Sequence, residues 1–418
     1  MPDPDRRRPD PSANLKHHAF WEAAGALPEG SVAFNALTAA LLVLRLLDRW
    51  SSRDKGREVK FQELAAVQRR VDALPDGPMR RVLQDLLKSV GGRGAARPAK
   101  VIVLGQLLEA EGYWAPAADA YASSIELIAS RPVDRDLLPF VLDRQAYCLR
   151  ESGQLDKAAE MYNEGIAVAR ELQDIRWALK LRVHNAILEG MHRGDLPEAD
   201  YQLEVIVDDA RNADLPALVA YATHERGQVA FARSQYLNAA QLFYIAATTH
   251  LETSLIERAE LDLAVALAEL GHIDYARTVC EFVRNAPARL GSDQRTLAGI
   301  NLMRLAPLRD DRDMFDKLRL ELAVEPMKGR LLAHYHLILA QGLLRFGESD
   351  AGRLELQRTI EVAEAYKINQ LVIRADELLK AKDERHQTTP QVPLKDRSLD
   401  PILRAIDERQ GPFAEAVQ

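Results

Sequence analysis

Cysteine is nearly absent from this sequence, whose 418 residues include only Cys148 and Cys280. A disulfide framework is thereby excluded as the source of stability. Both thiols fall at apolar positions, read as core, and suit a reducing compartment. Aromatic residues are also scarce, at 6% against 47% hydrophobic overall. Aliphatic side chains must carry the core, a mixture that favours helices over sheets. The uncharged run Gly30–Leu44 ends at Arg45, short of the roughly 20 apolar residues a membrane span needs. Arg6-Arg7-Arg8 is separated from that run by prolines and acids and makes no convincing signal peptide, so the expected location is the cytoplasm with no membrane partner.

Catalytic signatures are missing too. No Cys-x-x-Cys, His-Glu-x-x-His, Walker loop or Gly-x-Ser-x-Gly occurs. Lys100–Gly105 has the composition of the first strand of a nucleotide-binding fold, but Gln106–Gly112 continues as helix without the glycine fingerprint. His17-His18 and His334/His336 have no nucleophile partner in sequence. The expectation is a protein that is not an enzyme and carries no cofactor. Net charge is −7, which argues against a nucleic-acid binder taken as a whole. The segment Arg53–Lys100 nevertheless holds twelve Lys/Arg against six Asp/Glu, while the chain from Val101 onward carries about −13.

What is present is a repeat. Gly, four residues, Ala, three residues and a large side chain recur as Gly112/Ala117/Tyr121, Gly153/Ala158/Tyr162 and Gly194/Ala199/Leu203, each displaced by 41. The fourth copy has Ser234 in place of glycine, with Ala239 and Phe243, and the fifth is Gly271/Ala276/Cys280. Gly347/Gly352/Leu356 follows 76 residues after Gly271, so a worn copy is expected between them with its turn near Arg309–Asp313, making seven. The physical reading is a helical hairpin. Glycine ends the first helix in a left-handed conformation, the small Ala lets the second helix approach closely, and the large residue one turn on fills the space between them. In the second unit helix A is expected over Leu138–Ser152 and helix B over Leu155–Leu172. Cys148 and Cys280 fall three repeats apart in this register, too far for a disulfide.

Over about Lys100–Lys380 this pattern resembles the tetratricopeptide (TPR) repeat family, in a longer-period form of 37–41 residues common in bacterial regulators and scaffolds. Leu104-Gly105 and Gly227 match the family's early helix-A positions, and Ala117/Tyr121, Ala158/Tyr162 and Ala239/Phe243 its helix-B positions. The signature Trp and the terminal prolines are missing. The resemblance implies an all-α fold, a right-handed α-solenoid of about seven TPR-like hairpins, binding a protein or peptide on its concave face. The order of a helical bundle followed by TPR units is similar to bacterial peptide-sensing regulators in architecture.

The expected organisation is a disordered N-terminus (1–15), an N-terminal helical bundle (16–92), the solenoid with its capping helix (98–380), and a linker and tail helix (381–418). The bundle is read from helices over Ser31–Ser51, Phe61–Leu74 and Pro78–Val90, the first apolar on most sides. Gly91-Gly92-Arg93-Gly94 marks its end. In the tail, Leu399, Ile402, Leu403 and Ile406 form an i, i+3, i+4, i+7 set, expected to dock in the protein's own groove or on a second copy.

Carrying the family's groove positions onto this sequence gives Asp143, Tyr147 and Arg150 from the second unit. His184, Leu188 and His192 come from the third, and Tyr221, His224, Gln228 and Phe231 from the fourth. Only Arg150 among these is cationic, so a clamp for a peptide's terminal carboxylate is not expected. Asp143, His184 and His224 share one helix-A position. Neighbouring helices pack on the order of 10 Å apart, too far for one metal ion, so no metal is expected. Two alternatives stay open: a regulator whose basic N-terminal helices contact nucleic acid, with Gln68, Arg69 and Arg70 as the hint, and an enzyme of unrecognised type.

Overall fold

The structure, a computed structural model, describes residues 16–51, 61–90, 98–249, 252–286, 292–366, 368–380 and 392–409. Among them are twenty α-helices and no strand. The chain divides into two compact units, residues 1–185 and 186–418.

The first unit opens with α1 (His18–Gly25), α2 (Val32–Ser51), α3 (Phe61–Asp72) and α4 (Pro78–Val90). The sequence reading placed three helices here; α1 is a fourth. Helix α2 is the hub, packing against α1, α3, α4 and α6. That follows from its composition, since Leu37, Leu41, Val43, Leu44, Leu46 and Leu47 point to different sides and are all buried. His17 precedes α1 with a left-handed φ of 64° and is fully enclosed. Its two ring nitrogens each lie 2.8 Å from a carboxylate, Asp48 on α2 and Asp119 on α6. Burial disfavours the charged ring, but the two carboxylates win and raise its pKa to about 9.

Helix pairs follow: α5 (Pro98–Ala110) with α6 (Trp114–Ala129), α7 (Leu138–Glu151) with α8 (Leu155–Glu171), then α9 (Ile175–Ile187). The α7 and α8 bounds agree with the expected helices A and B to within one residue. The second unit begins just before a π-helical turn, Leu188–His192, and carries α10 (Leu196–Asn212), α11 (Pro216–Ala232) and α12 (Tyr236–Thr249). Pairs α13 (Thr253–Glu269) with α14 (Ile273–Asn285), α15 (Ser292–Leu305) with α16 (Arg312–Leu322), and α17 (Gly329–Arg345) with α18 (Ser349–Ala365) come next. Helix α19 (Asn369–Lys380) and α20 (Asp400–Arg409) close the chain.

Each A-to-B turn is made by one left-handed residue: Gly112, Gly153, Gly194, Ser234, Gly271, Asp310 and Gly347, with φ between 56° and 89°. Asp310 falls inside the expected Arg309–Asp313 window, so the worn sixth copy is a real hairpin. The turns close by paired hydrogen bonds, as when Gly153 N–H donates to Arg150 O (2.9 Å) and Gln154 N–H to Leu149 O (2.8 Å). The small-residue positions are packed shut. Ala117, Ala158, Ala199, Ala239 and Ala276 are all 0% exposed. A Cβ built on Gly105 would sit 2.7 Å from the Tyr121 ring, and one on Gly227 2.6 Å from the Phe243 ring. Glycine at the early helix-A position is therefore what admits the aromatic ring from helix B.

The tail docks on its own chain. Leu399, Ile402 and Ile406 are buried and Leu403 partly so, packed against the core that includes α14. Helix α14 is a B helix, so this placement corrects the expectation of docking in the groove of A helices. Residues 1–15, Gly91-Gly92-Arg93-Gly94 and 381–391 lie outside the described residues.

Candidate functional site

Asp143 and His184 each stand ten residues before their turn glycines, Gly153 and Gly194. In the first unit Asp143 on α7 is 0% exposed and its carboxylate hydrogen-bonds His184 Nδ1 on α9. Burial pushes the Asp143 carboxyl up, but His184, Lys180 and Arg144 more than offset this and hold it below the usual range. The second carboxylate oxygen of Asp143 and the Tyr162 hydroxyl are both buried without a hydrogen bond. The Tyr162 ring lies 6.0 Å from that of His184.

Two cations lie over the Tyr147 ring, with Arg144 Cζ 4.6 Å and Arg150 Cζ 4.8 Å from its centroid. The indole of Trp114 meets it edge-on at 5.8 Å. Arg150 is itself paired with Glu151 at 3.0 Å. Behind it runs a network absent from the sequence reading. Arg144 pairs with Glu109 on α5, which also accepts the Tyr121 hydroxyl at 3.0 Å. No residue spacing announces that network, because its members sit on both helices of one hairpin and on the next.

In the second unit His224 on α11 is 2% exposed. Its Nε2 lies 2.8 Å from Asp262 on α13, and Nδ1 lies 3.4 Å from Glu225. Burial pushes its pKa down, yet these carboxylates raise it to about 9. Gln228 Nε2 donates to the same Asp262 oxygen at 2.6 Å. Phe231 packs on Tyr236 with ring centroids 5.1 Å apart. Tyr221 is half-buried and His192 exposed. Leu188 is 0% exposed within the π-helical turn.

Three corrections follow. Asp143, Leu188 and His224 are buried, so they position neighbours and do not present a surface to a partner. Equivalent side chains on successive A helices touch, because Asp and His together bridge the interhelical gap that helix spacing alone suggested was open. What they form is ion pairs; among the described residues no cluster of three His, Cys, Asp or Glu is arranged for a metal. The basic N-terminal hint is altered as well: Arg69 and Arg70 are exposed, but Gln68 donates to Asp72 at 3.0 Å.

The structure adds residues that the sequence reading missed. Asp262 and Asn301 each lie nine residues before their turn residues, Gly271 and Asp310. Asp262 gives one oxygen to His224 and Gln228 and keeps the other unbonded, with the side chain 29% exposed. Asn301 on α15 is 5% exposed, and its amide makes no hydrogen bond among the described residues. The same face carries Arg258, 3.6 Å from Glu225, and Arg304, 3.6 Å from Glu269. No described helix is long and apolar enough to cross a membrane.

No family model matches the sequence. No curated protein matches it either. Among solved structures, the chain is similar to a tetratricopeptide repeat protein from Parabacteroides merdae ATCC 43184, at 14% identity and a TM-score of 0.44, covering 67% of this chain and 99% of that one. It is similar to a Rap protein complexed with Competence and Sporulation Factor, at 13% identity and a TM-score of 0.49, covering 81% and 99%. It is also similar to NprR in complex with its cognate peptide NprX, at 12% identity and a TM-score of 0.46, covering 87% and 92%.

Proposed function

We propose that this array of TPR-type helical hairpins is a non-catalytic scaffold that holds an extended peptide segment on the A-helix face of its second unit. The observation that carries the reading is a pair of unused polar groups on successive A helices: the unbonded amide of Asn301 on α15 and the unbonded oxygen of Asp262 on α13, each nine residues before its turn residue. An amide offers one donor edge and one acceptor edge, matching the C=O and N–H of a peptide main chain. The carboxylate of Asp262 accepts a further N–H. Tyr221 and Gln228 on α11 extend the row.

His224 has a supporting part. It is too buried to touch a peptide, but it fixes the Asp262 carboxylate and balances its charge. Tyr147 and Arg150 in the first unit are half-buried and engaged with one another, and any role in binding there is secondary to their packing.

Panning the full chain against displayed random peptides tests this. Asn301→Ala, which removes the amide with little loss of packing, should weaken a selected peptide by about tenfold to a hundredfold, as expected for one or two hydrogen bonds lost at the interface. Tyr221→Ala should weaken it further. Selected peptides that bind wild type and the double variant equally would show that this face is not the site.

A further inference from the structure

The C-terminal segment forms a strap over the fifth hairpin. Leu394 is pinned by both of its backbone groups: its N–H donates to Leu270 O at 3.0 Å, and its carbonyl accepts from His272 Nε2 at 2.9 Å. Asp396 then caps the next turn by accepting from Ser398 N–H at 2.8 Å. Leu399, Ile402 and Ile406, at 0, 3 and 6% exposed, enter the same apolar core as Ala276, Val279 and Val283 of α14. The Tyr275 hydroxyl donates to Asp407 at 3.2 Å near the far end.

These are the parts of helix-in-groove recognition. Apolar anchors on one helix face supply burial, and main-chain hydrogen bonds beside them fix the register. The receptor surface and the helix that fills it belong to one chain. Every copy of the chain therefore carries both halves of the pair, the condition under which identical elements exchange between protomers at low cost.

We propose that the α14 side of the fifth hairpin is a docking site for an amphipathic helix, and that the strap of a second copy occupies it whenever the chain's own strap is disengaged. The site asks for a backbone N–H and C=O at the Leu394 position, apolar side chains at the Leu399, Ile402 and Ile406 positions, and an acceptor for Tyr275. In cis the strap competes at the high effective concentration of a tethered ligand, so disabling one strap and one site on different copies isolates the trans docking. This inference is independent of the peptide-face reading.

Complementation between two full-length variants tests it. One carries Ile402→Asp and Ile406→Asp, which disable the strap and leave the site intact. The other carries His272→Ala and Tyr275→Asp, which remove a donor and set a carboxylate against Asp407. Each alone should be monomeric by light scattering, and their equimolar mixture should form a heterodimer. In parallel, a dye-labelled peptide of residues 392–409 should bind the strap-disabled chain at least about tenfold more tightly than wild type, whose site is already filled. Adding His272→Ala and Tyr275→Asp to that chain should abolish the binding. Should the double aspartate variant misfold by circular dichroism, Ile406→Ala replaces it in the peptide assay, with the same direction of change. A mixture that stays monomeric with no peptide binding overturns the proposal. So does pairing that persists when the site substitutions are present on both chains.

Discussion

Replacing Asp262 by Asn removes the carboxylate that holds His224 charged inside the second unit. In the wild type His224 is protonated up to a pKa of about 9, against 6.5 in an unfolded chain. At about 1.4 kcal/mol per pH unit this difference is worth about 3 kcal/mol of folding stability. Its sign follows from the raised value. The full contribution is present below pH 6.5, where folded and unfolded chains are both protonated, and it is lost as pH rises through about 9. In Asp262→Asn only Glu225, at 3.4 Å, remains to hold the proton. The variant should therefore lose about 2 kcal/mol at pH 6 and less than about 1 kcal/mol at pH 10. Urea unfolding followed by circular dichroism at both pH values gives the difference, and the raised pKa of His17 cancels because both proteins carry it. An NMR titration of His224 should show its midpoint moving down by more than one unit, roughly matching the lost energy. Equal penalties at the two pH values, or a wild-type His224 that titrates near 6.5, would refute the reasoning.

Two further substitutions probe the repeat itself. Gly227→Ala drives a Cβ to 2.6 Å from the Phe243 ring, so it should destabilise the second unit by about 1–3 kcal/mol, with Phe243→Leu recovering part of the loss in thermal melts. Ser234→Gly relieves a left-handed residue with φ 57° and should raise stability by up to about 1 kcal/mol, whereas Gly153→Ala, where a Cβ meets nothing within 4 Å, should cost about 1–2 kcal/mol through backbone strain alone. If both turn substitutions prove neutral in urea unfolding, the left-handed turns do not carry the hairpin geometry.

The sequence showed the hairpins because their turns depend on a backbone conformation that few residues tolerate. Gly112, Gly153, Gly194, Gly271 and Gly347 were therefore visible, and a polar stretch sufficed to locate Asp310. The Ala and aromatic positions were legible for the same reason, since close helix approach restricts side-chain size. Contacts between successive A helices were not. Asp143 and His184 lie 41 residues apart and the repeat pattern says nothing about which way either side chain leans. Asp262 escaped notice because it stands nine residues before its turn where His224 stands ten before Ser234, a one-residue slip that breaks the vertical alignment. Helix α1 was missed because its eight residues follow a charged, proline-rich start and bury chiefly Phe20 and Ala24. The tail's apolar face was plain in its i, i+3, i+4, i+7 spacing. Its receptor on α14 was not, because surface shape on a B helix leaves no periodic mark.

The central claim, that the A-helix face around Asp262 and Asn301 holds a peptide, is tested most directly by hydrogen–deuterium exchange of the full chain with and without a selected peptide. The account predicts added protection in α11, α13 and α15, diminished in Asn301→Ala. Protection confined to α3 and α4, or to the strap, with α13 and α15 unchanged, would contradict it.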